Sequence, residues 1–456
     1  MADETTEPPT TGAAAQTKPL QPDNRTPGQV LAINAVEPNP PNRLLRSFGR
    51  LRIFEALHYR EYRLIWFGQI FASMATWMDQ VARGWLLYEL TNSTLQLGLI
   101  RGVQAIPILL LSPLACSAAD RYSRKNQILV AQIVDGLLYA IVAVLIFAGR
   151  IEPWHVYVTA FGMSVVQSFQ QPARAAMVGD AVPTEHITNA IGLNSIIFNV
   201  ARSAGPAVAG FLIALVGTGG AYTAQAICYF LATIWTWQLR AGQTPAKIFK
   251  GKDGQSESFG QSIIEGWKFS WRNEAVRASL LIVICASIFI IPFMTLLPVF
   301  ARDVLHVGAT GQGLLLSAMG IGALFSSVLI ASFGDRVPRI NIMLWGVTSY
   351  GIIIAAFALS PWFKLSVVLM GLVGVVHVTS HALAQTVIQT YSPREFRGRT
   401  MALYHMTHVI LLLGGILIGA LASWIGAQWA TAALSLAGTL SMAAIYLALP
   451  RARLIR

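Results

Sequence analysis

Apolar stretches of about the length that crosses a bilayer recur along almost the whole chain, and that recurrence limits the fold more than any single residue does. A helix of ~20 residues spans ~30 Å of hydrocarbon. Lipid offers no partners to backbone amides, so such stretches must be helical. Twelve crossings are predicted, at 63–88, 95–118, 126–148, 154–173, 188–215, 220–239, 276–299, 311–333, 340–359, 364–389, 399–423 and 428–449. Composition agrees: 54% of residues are hydrophobic and 12% charged, against roughly 45–50% and about 25% in soluble domains. An all-α membrane protein is expected. Cys116, Cys228 and Cys285 lie in or at the end of apolar helices without metal or redox spacing, and are read as structural.

Residues 1–55 have no apolar periodicity and are read as a disordered basic tail; they lack the apolar run of a secretory signal. Residues 56–240 then form one set of six helices and 276–450 a second, with a short tail at 451–456. Between the sets, 241–275 is basic and ends in Phe259, Ile263, Ile264, Trp267, Phe269 and Trp271, the pattern of a linker followed by an amphipathic helix lying on the inner leaflet. When loops are assigned alternately to the two sides, 27 of the 33 Lys and Arg fall on the side of the termini. That bias places both termini in the cytoplasm. It also accounts for the net charge of +12 without nucleic acid as a partner.

The two halves repeat each other. Asp120-Arg121 and Asp335-Arg336 each close a long apolar segment, and Pro183, Glu185 and Leu193 can be laid on Pro393, Glu395 and Leu403. Both copies run in the same direction, as in transporters built from two parallel six-helix repeats.

In these features the chain resembles the major facilitator superfamily over about residues 56–450. The superfamily's loop signature, Gly-x-x-x-Asp-Arg-x-Gly-Arg-Lys, is matched by Asp120, Arg121, Arg124 and Lys125, whereas Cys116 and Ser123 stand in place of its glycines. Trp85-Leu-Leu-Tyr-Glu-Leu-Thr91, Gln170-Gln-Pro172-Ala-Arg174 and Arg397-Gly-Arg399 resemble the branch that includes enterobactin exporters. Gly205-Pro206 with Gly210 is similar to a signature of drug-exporting antiporters, with a packing bend as the alternative reading. The resemblance implies twelve helices in two pseudo-symmetric six-helix halves, with the first, fourth, seventh and tenth lining a central cavity. It also implies gating loops, here Asp120, Arg121, Arg124, Lys125, Asp335, Arg336, Arg397 and Arg399. Asp120 is expected to face the start of the eleventh helix, and Arg121 or Arg124 to pair with Asp180 or Glu185.

Charges within helices are the first candidates for transport chemistry, because they are costly in lipid unless paired or hydrated. Asp79 and Arg83 are four apart and share a helical face. The pair fits proton coupling, or a stabilising ion pair near the outer surface. Arg101 reads as a snorkelling charge, while Asp135 and Arg202 lie deeper, with Arg202 the better candidate for anion binding or gating. His377 and His381, and His405 and His408, form two pairs on neighbouring helices. Their imidazoles suit hydrogen bonding between helices, a proton relay, or a transition metal, although no Cys or carboxylate completes a ligand set. No phosphate-binding loop appears.

The sequence therefore predicts a monomeric secondary transporter of a bacterial plasma membrane, with no cofactor and no resident metal. It is expected to export a hydrophobic or amphipathic small molecule by proton antiport with alternating access. Alternatives are a metabolite importer of the same fold, a polytopic metal-dependent enzyme around the four histidines, and a transporter-like sensor.

Overall fold

The computed structural model describes residues 52–240, 259–333 and 339–449. Side chains are not described at 52–53, 112–113, 116–117, 119–120, 259–263, 328–333, 339–341, 394 and 408. Asp335 and Arg336, and the side chains of Asp120 and His408, thus lie outside the described residues, as do both tails.

The described chain is almost entirely helical. The first half comprises α1 (Arg60–Thr91), α2 (Thr94–Arg121), α3 (Arg124–Phe147), α4 (Pro153–Asp180), and α5 and α6, the arms of Ile187–Trp237. The second half comprises α7 (Glu274–Val304), α8 (Gly308–Phe333), α9 (Arg339–Leu359), α10 (Phe363–Tyr391), α11 (Arg394–Ile425) and α12 (Ala427–Ala448). Among the described residues, nine helical segments are apolar and long enough to cross a bilayer, with Ile187–Trp237 inside a single one of them. The remaining two crossings, α1 and α4, fall short on that measure. They are the helices that carry Asp79, Arg83, Gln170 and Arg174, whose polar side chains lower their hydropathy.

The two crossings expected within 187–237 are two helices joined by a tight connection. Only Gly217 leaves helical geometry, with φ 75° and ψ 177°. A side chain would strain that positive φ, which glycine accepts.

The larger departure is α7, predicted as one plain helix. It is α-helical over Glu274–Cys285, π-helical over Ala286–Ile290, 3-10 over Ile291–Leu296, and π-helical again over Phe300–Val304. Pro292 and Pro298 remove two backbone donors from the ladder, so neighbouring carbonyls must find other spacing. The irregular segment is buried: Ile290, Phe293, Leu296, Leu297 and Phe300 are fully covered. Irregular backbone is tolerated at membrane depth in such a setting.

The predicted amphipathic helix of the linker is present as Phe259–Arg272. Phe269 stacks on Phe396 of α11 at 4.7 Å between centroids, and Glu265 pairs with Arg399. On the other side Ile264, Trp267 and Trp271 are exposed, the two indoles stacked 5.7 Å apart.

Candidate functional site

The two halves meet along α2 with α11 and α5 with α8. The end where α1 begins and α12 ends is here called the near end. The closest approaches between halves lie toward the far end and are made through glycines. A Cβ added at Gly98 would lie 2.7 Å from the Gly415 carbonyl oxygen, and one at Gly419 2.8 Å from the Gly98 Cα. Thr94 Oγ1 donates to the Gly419 carbonyl at 3.2 Å. Across the other seam, a Cβ at Gly210 would lie 2.5 Å from the Ala309 carbonyl oxygen and one at Gly313 2.5 Å from that of Pro206. The Gly205-Pro206-Gly210 stretch therefore stays helical and forms part of the contact between halves.

A polar latch joins the same end. The Tyr88 hydroxyl donates to Asp303 Oδ2, and the Arg302 guanidinium sits 5.1 Å from the centre of the Tyr88 ring. Arg302 Nη1 also donates to the Tyr88 carbonyl at 3.4 Å. These partners are more than 200 residues apart in the chain, so sequence spacing gives no sign of the latch.

Between these contacts and the near end lies a cavity of about 340 Å³. Arg202 of α5 faces His377, His381 and Gln385 of α10, Tyr404 and Thr407 of α11, and Ser287 and Ile291 of the irregular α7. The His377 and His381 rings are 4.7 Å apart, and His381 Nδ1 lies 3.1 Å from the Tyr404 hydroxyl. His405 is exposed and packs its ring 5.6 Å from Tyr404, outside the cavity lining. The structure thus brings Arg202 and two of the histidines together, a grouping across the two halves that helix spacing cannot reveal. Among the described residues, no group of three His, Cys, Asp or Glu is arranged to hold a metal.

Closer to the far end is a narrow cleft lined by Asp79, Gln80 and Arg83 of α1, Arg101 and Gln104 of α2, and Thr295 of α7. Asp79 Oδ2 and Arg83 Nη2 are 2.6 Å apart, both side chains largely buried. Arg101 does not snorkel as expected. It lies in this cleft, with Nη1 3.4 Å from Gln104 Oε1 and its stem against Gly415. Two guanidiniums therefore converge on one carboxylate, and the pair predicted from i, i+4 spacing is part of a larger group.

Behind the cleft, Asp135 of α3 is 1% exposed, and neither carboxylate oxygen has a clear hydrogen-bond donor among the described residues. Tyr139 and Tyr229 stack nearby at 5.5 Å, and Tyr229 shares a 3.0 Å hydrogen bond with Thr76. Arg83 and Arg174 are the cations within Asp135's electrostatic reach.

At the near end, Arg124 Nη1 meets Asp180 Oδ2 at 2.6 Å, one of the pairings expected from sequence. Lys125 Nζ donates to the Leu239 carbonyl at 2.6 Å, and Arg121 and Arg397 are exposed. These contacts tie helices within one half. The expected apposition of Asp120 to α11 falls on a side chain outside those described.

A twelve-helix bundle in two halves, closed through glycine seams at one end around a mid-bundle cavity, defines a transporter of the major facilitator class. The chain belongs to the transmembrane secretion effector family of that superfamily, which it matches over residues 53–454. It is similar to the multidrug efflux pump Tap of Mycolicibacterium fortuitum, 26% identical over 400 residues that cover 86% of this chain and 96% of the relative. The staphyloferrin A transporter of Staphylococcus aureus is 23% identical, covering 77% and 87%. Macrolide efflux protein A of Streptococcus pyogenes is 22% identical, covering 79% and 89%. In fold it is similar to a bacterial homolog of the human lysosomal transporter Spinster, with a TM-score of 0.66, 14% identity and coverage of 91% and 98%. The nucleoside transporter NupG gives a TM-score of 0.68 at 13% identity, covering 86% and 99%.

Proposed function

We propose that this protein exports a hydrophobic or amphipathic small molecule by proton antiport, using alternating access between its two halves. The observation that carries the reading is the separation of two sites along one path. A cavity with room for a small molecule opens on the near side of the glycine seams, and the ion-paired carboxylate Asp79 sits beyond it in the cleft between halves. The efflux relatives support the direction. With the near end in the cytoplasm, as the basic residues favour, substrate enters the cavity from the cytoplasmic side. Separation of α2 from α11 and of α5 from α8 then exposes it to the outside.

Asp79 is the coupling carboxylate in this scheme. Protonation removes the anion that holds Arg83 and draws Arg101 into the cleft, which weakens the far-end closure and links proton entry to substrate release. The near-end charges, Asp120, Arg121, Arg124, Lys125, Asp335, Arg336, Arg397 and Arg399, hold the opposite closure. His377 and His381 contribute hydrogen bonds to substrate; His405 and His408 are not needed for coupling. The protein works as a monomer, with the exposed Trp267 and Trp271 of the linker helix resting in the inner leaflet. Efflux of an amphipathic anionic dye such as fluorescein from cells expressing the chain, with and without collapse of the proton gradient, tests the reading. Expression should lower dye accumulation only while the gradient stands; accumulation that ignores both rejects it.

A further inference from the structure

Arg202 is the arginine in the cavity lining, and no counter-charge faces it among the described residues. Its Nε and Nη2 are shielded from solvent and have no hydrogen-bond partner among the described residues, and none of the ion pairs among those residues includes it. Arginine cannot escape this by losing its proton, since guanidinium remains charged in proteins. A guanidinium at membrane depth with unmatched donors is expensive. Such a group persists where something it binds supplies the missing acceptors.

The surroundings specify what that acceptor is. The cavity residues around Arg202 include no carboxylate: they are Ser287, His377, His381, Gln385, Tyr404, Thr407 and apolar side chains. The neighbouring cleft has two guanidiniums, Arg83 and Arg101, against the single carboxylate Asp79. Both sites therefore carry excess positive charge. A cationic drug would meet repulsion from Arg202 and find no anion in the cavity. A neutral one could offer carbonyl acceptors to the guanidinium but no counter-charge, and so only the weaker hydrogen bonds.

We infer that the substrate carries an anionic group, of the carboxylate type, bound by the Arg202 fork. Its apolar body lies along Ile291, Val378 and Leu411, and Gln385 and Thr407 supply neutral polar contacts. The inference rests on the reading of this cavity as the substrate site, and it narrows an amphipathic substrate to an amphipathic acid. Arg202 is a binding residue here and has no part in proton transfer.

The test compares matched probes on the full chain purified in detergent: 1-naphthoate, 4-phenylbutyrate and 3-phenylpropionate against their primary amides, read by thermal stabilisation and equilibrium dialysis at pH 7.5. Wild-type protein should bind the acids at least about tenfold more tightly than the amides, the range of a hydrogen bond to a charged group. R202Q should lose that preference, and R202K should keep part of it. Equal affinity for acids and amides in wild type, no binding of any acid, or a preference surviving in R202Q would each overturn the inference. The wild-type comparison decides the matter even if R202Q fails to fold. Transport of the same probes into inverted vesicles separates this inference from the export reading. Acids that bind selectively but do not move would leave Arg202 as the anion site and count against export. Amides moved as well as acids would sustain export and reject the anion requirement.

Discussion

Closing the far end depends on backbone contact, so a small side chain placed in the α2–α11 seam should act as a wedge. At Gly98 an added Cβ would sit 2.7 Å from the Gly415 carbonyl oxygen, 3.1 Å from the Ile416 Cα and 3.2 Å from the Gly419 Cα. All three neighbours are backbone, so no side chain can rotate away. Overpacking of this kind costs about 1–3 kcal/mol. The cost falls on the far-closed state alone, because the seam parts when the far end opens. At about 1.4 kcal/mol per tenfold, Gly98→Val should raise the ratio of far-open to far-closed protein by about 5- to 140-fold. Thr295, buried at 7% exposure in the Asp79 cleft, is a suitable reporter. In a background with Cys116, Cys228 and Cys285 replaced, Thr295→Cys should react with a membrane-impermeant maleimide added outside at least about fivefold faster when Gly98→Val is present. An unchanged rate, with both proteins monodisperse, would refute the idea that these glycines set the closed state.

Other outcomes follow from the same geometry. Tyr88→Phe removes the hydroxyl whose hydrogen bond Asp303 accepts, a loss of about 0.5–1.5 kcal/mol because the Asp303 side chain is 44% exposed; the same labelling assay should show faster outside access, and no change would mean the latch is idle. Phe269→Ala, which deletes the stack on Phe396, should release the linker helix and speed trypsin cleavage within 241–258, measured on the intact protein in nanodiscs. Gly217→Val should lower the thermal midpoint because the positive φ at that position strains any β-branched side chain; an unaltered midpoint would argue that the α5–α6 connection relaxes freely.

The helices and their order were legible because lipid imposes one length and one hydrogen-bonding solution on every crossing. Boundaries at α3, α8, α9 and α12 fall within a few residues of those read from apolar runs. The distortion of α7 was not read, although Pro292 and Pro298 were in view, since a proline in a membrane helix is compatible with a simple kink as well as with paired π and 3-10 turns. Asp79 with Arg83 was visible because i, i+4 spacing is local, and so was His377 with His381. Arg101 was misjudged because its depth depends on how tightly α2 approaches α11 through Gly98, Gly415 and Gly419. The meeting of Arg202 with α10, and of Tyr88 with Asp303, joins residues from different halves. Only packing of the two repeats could place them together.

Coupling between proton and substrate is the claim on which the rest depends. It is tested most directly in proteoliposomes with the near face outward, by imposing an acid-inside pH gradient and following the uptake of a bound substrate in wild-type and Asp79→Asn protein. Wild type should accumulate substrate above equilibrium in proportion to the gradient, while Asp79→Asn should still exchange substrate but not concentrate it. Uphill uptake by Asp79→Asn equal to that of wild type, or wild-type flux indifferent to the gradient, would contradict it.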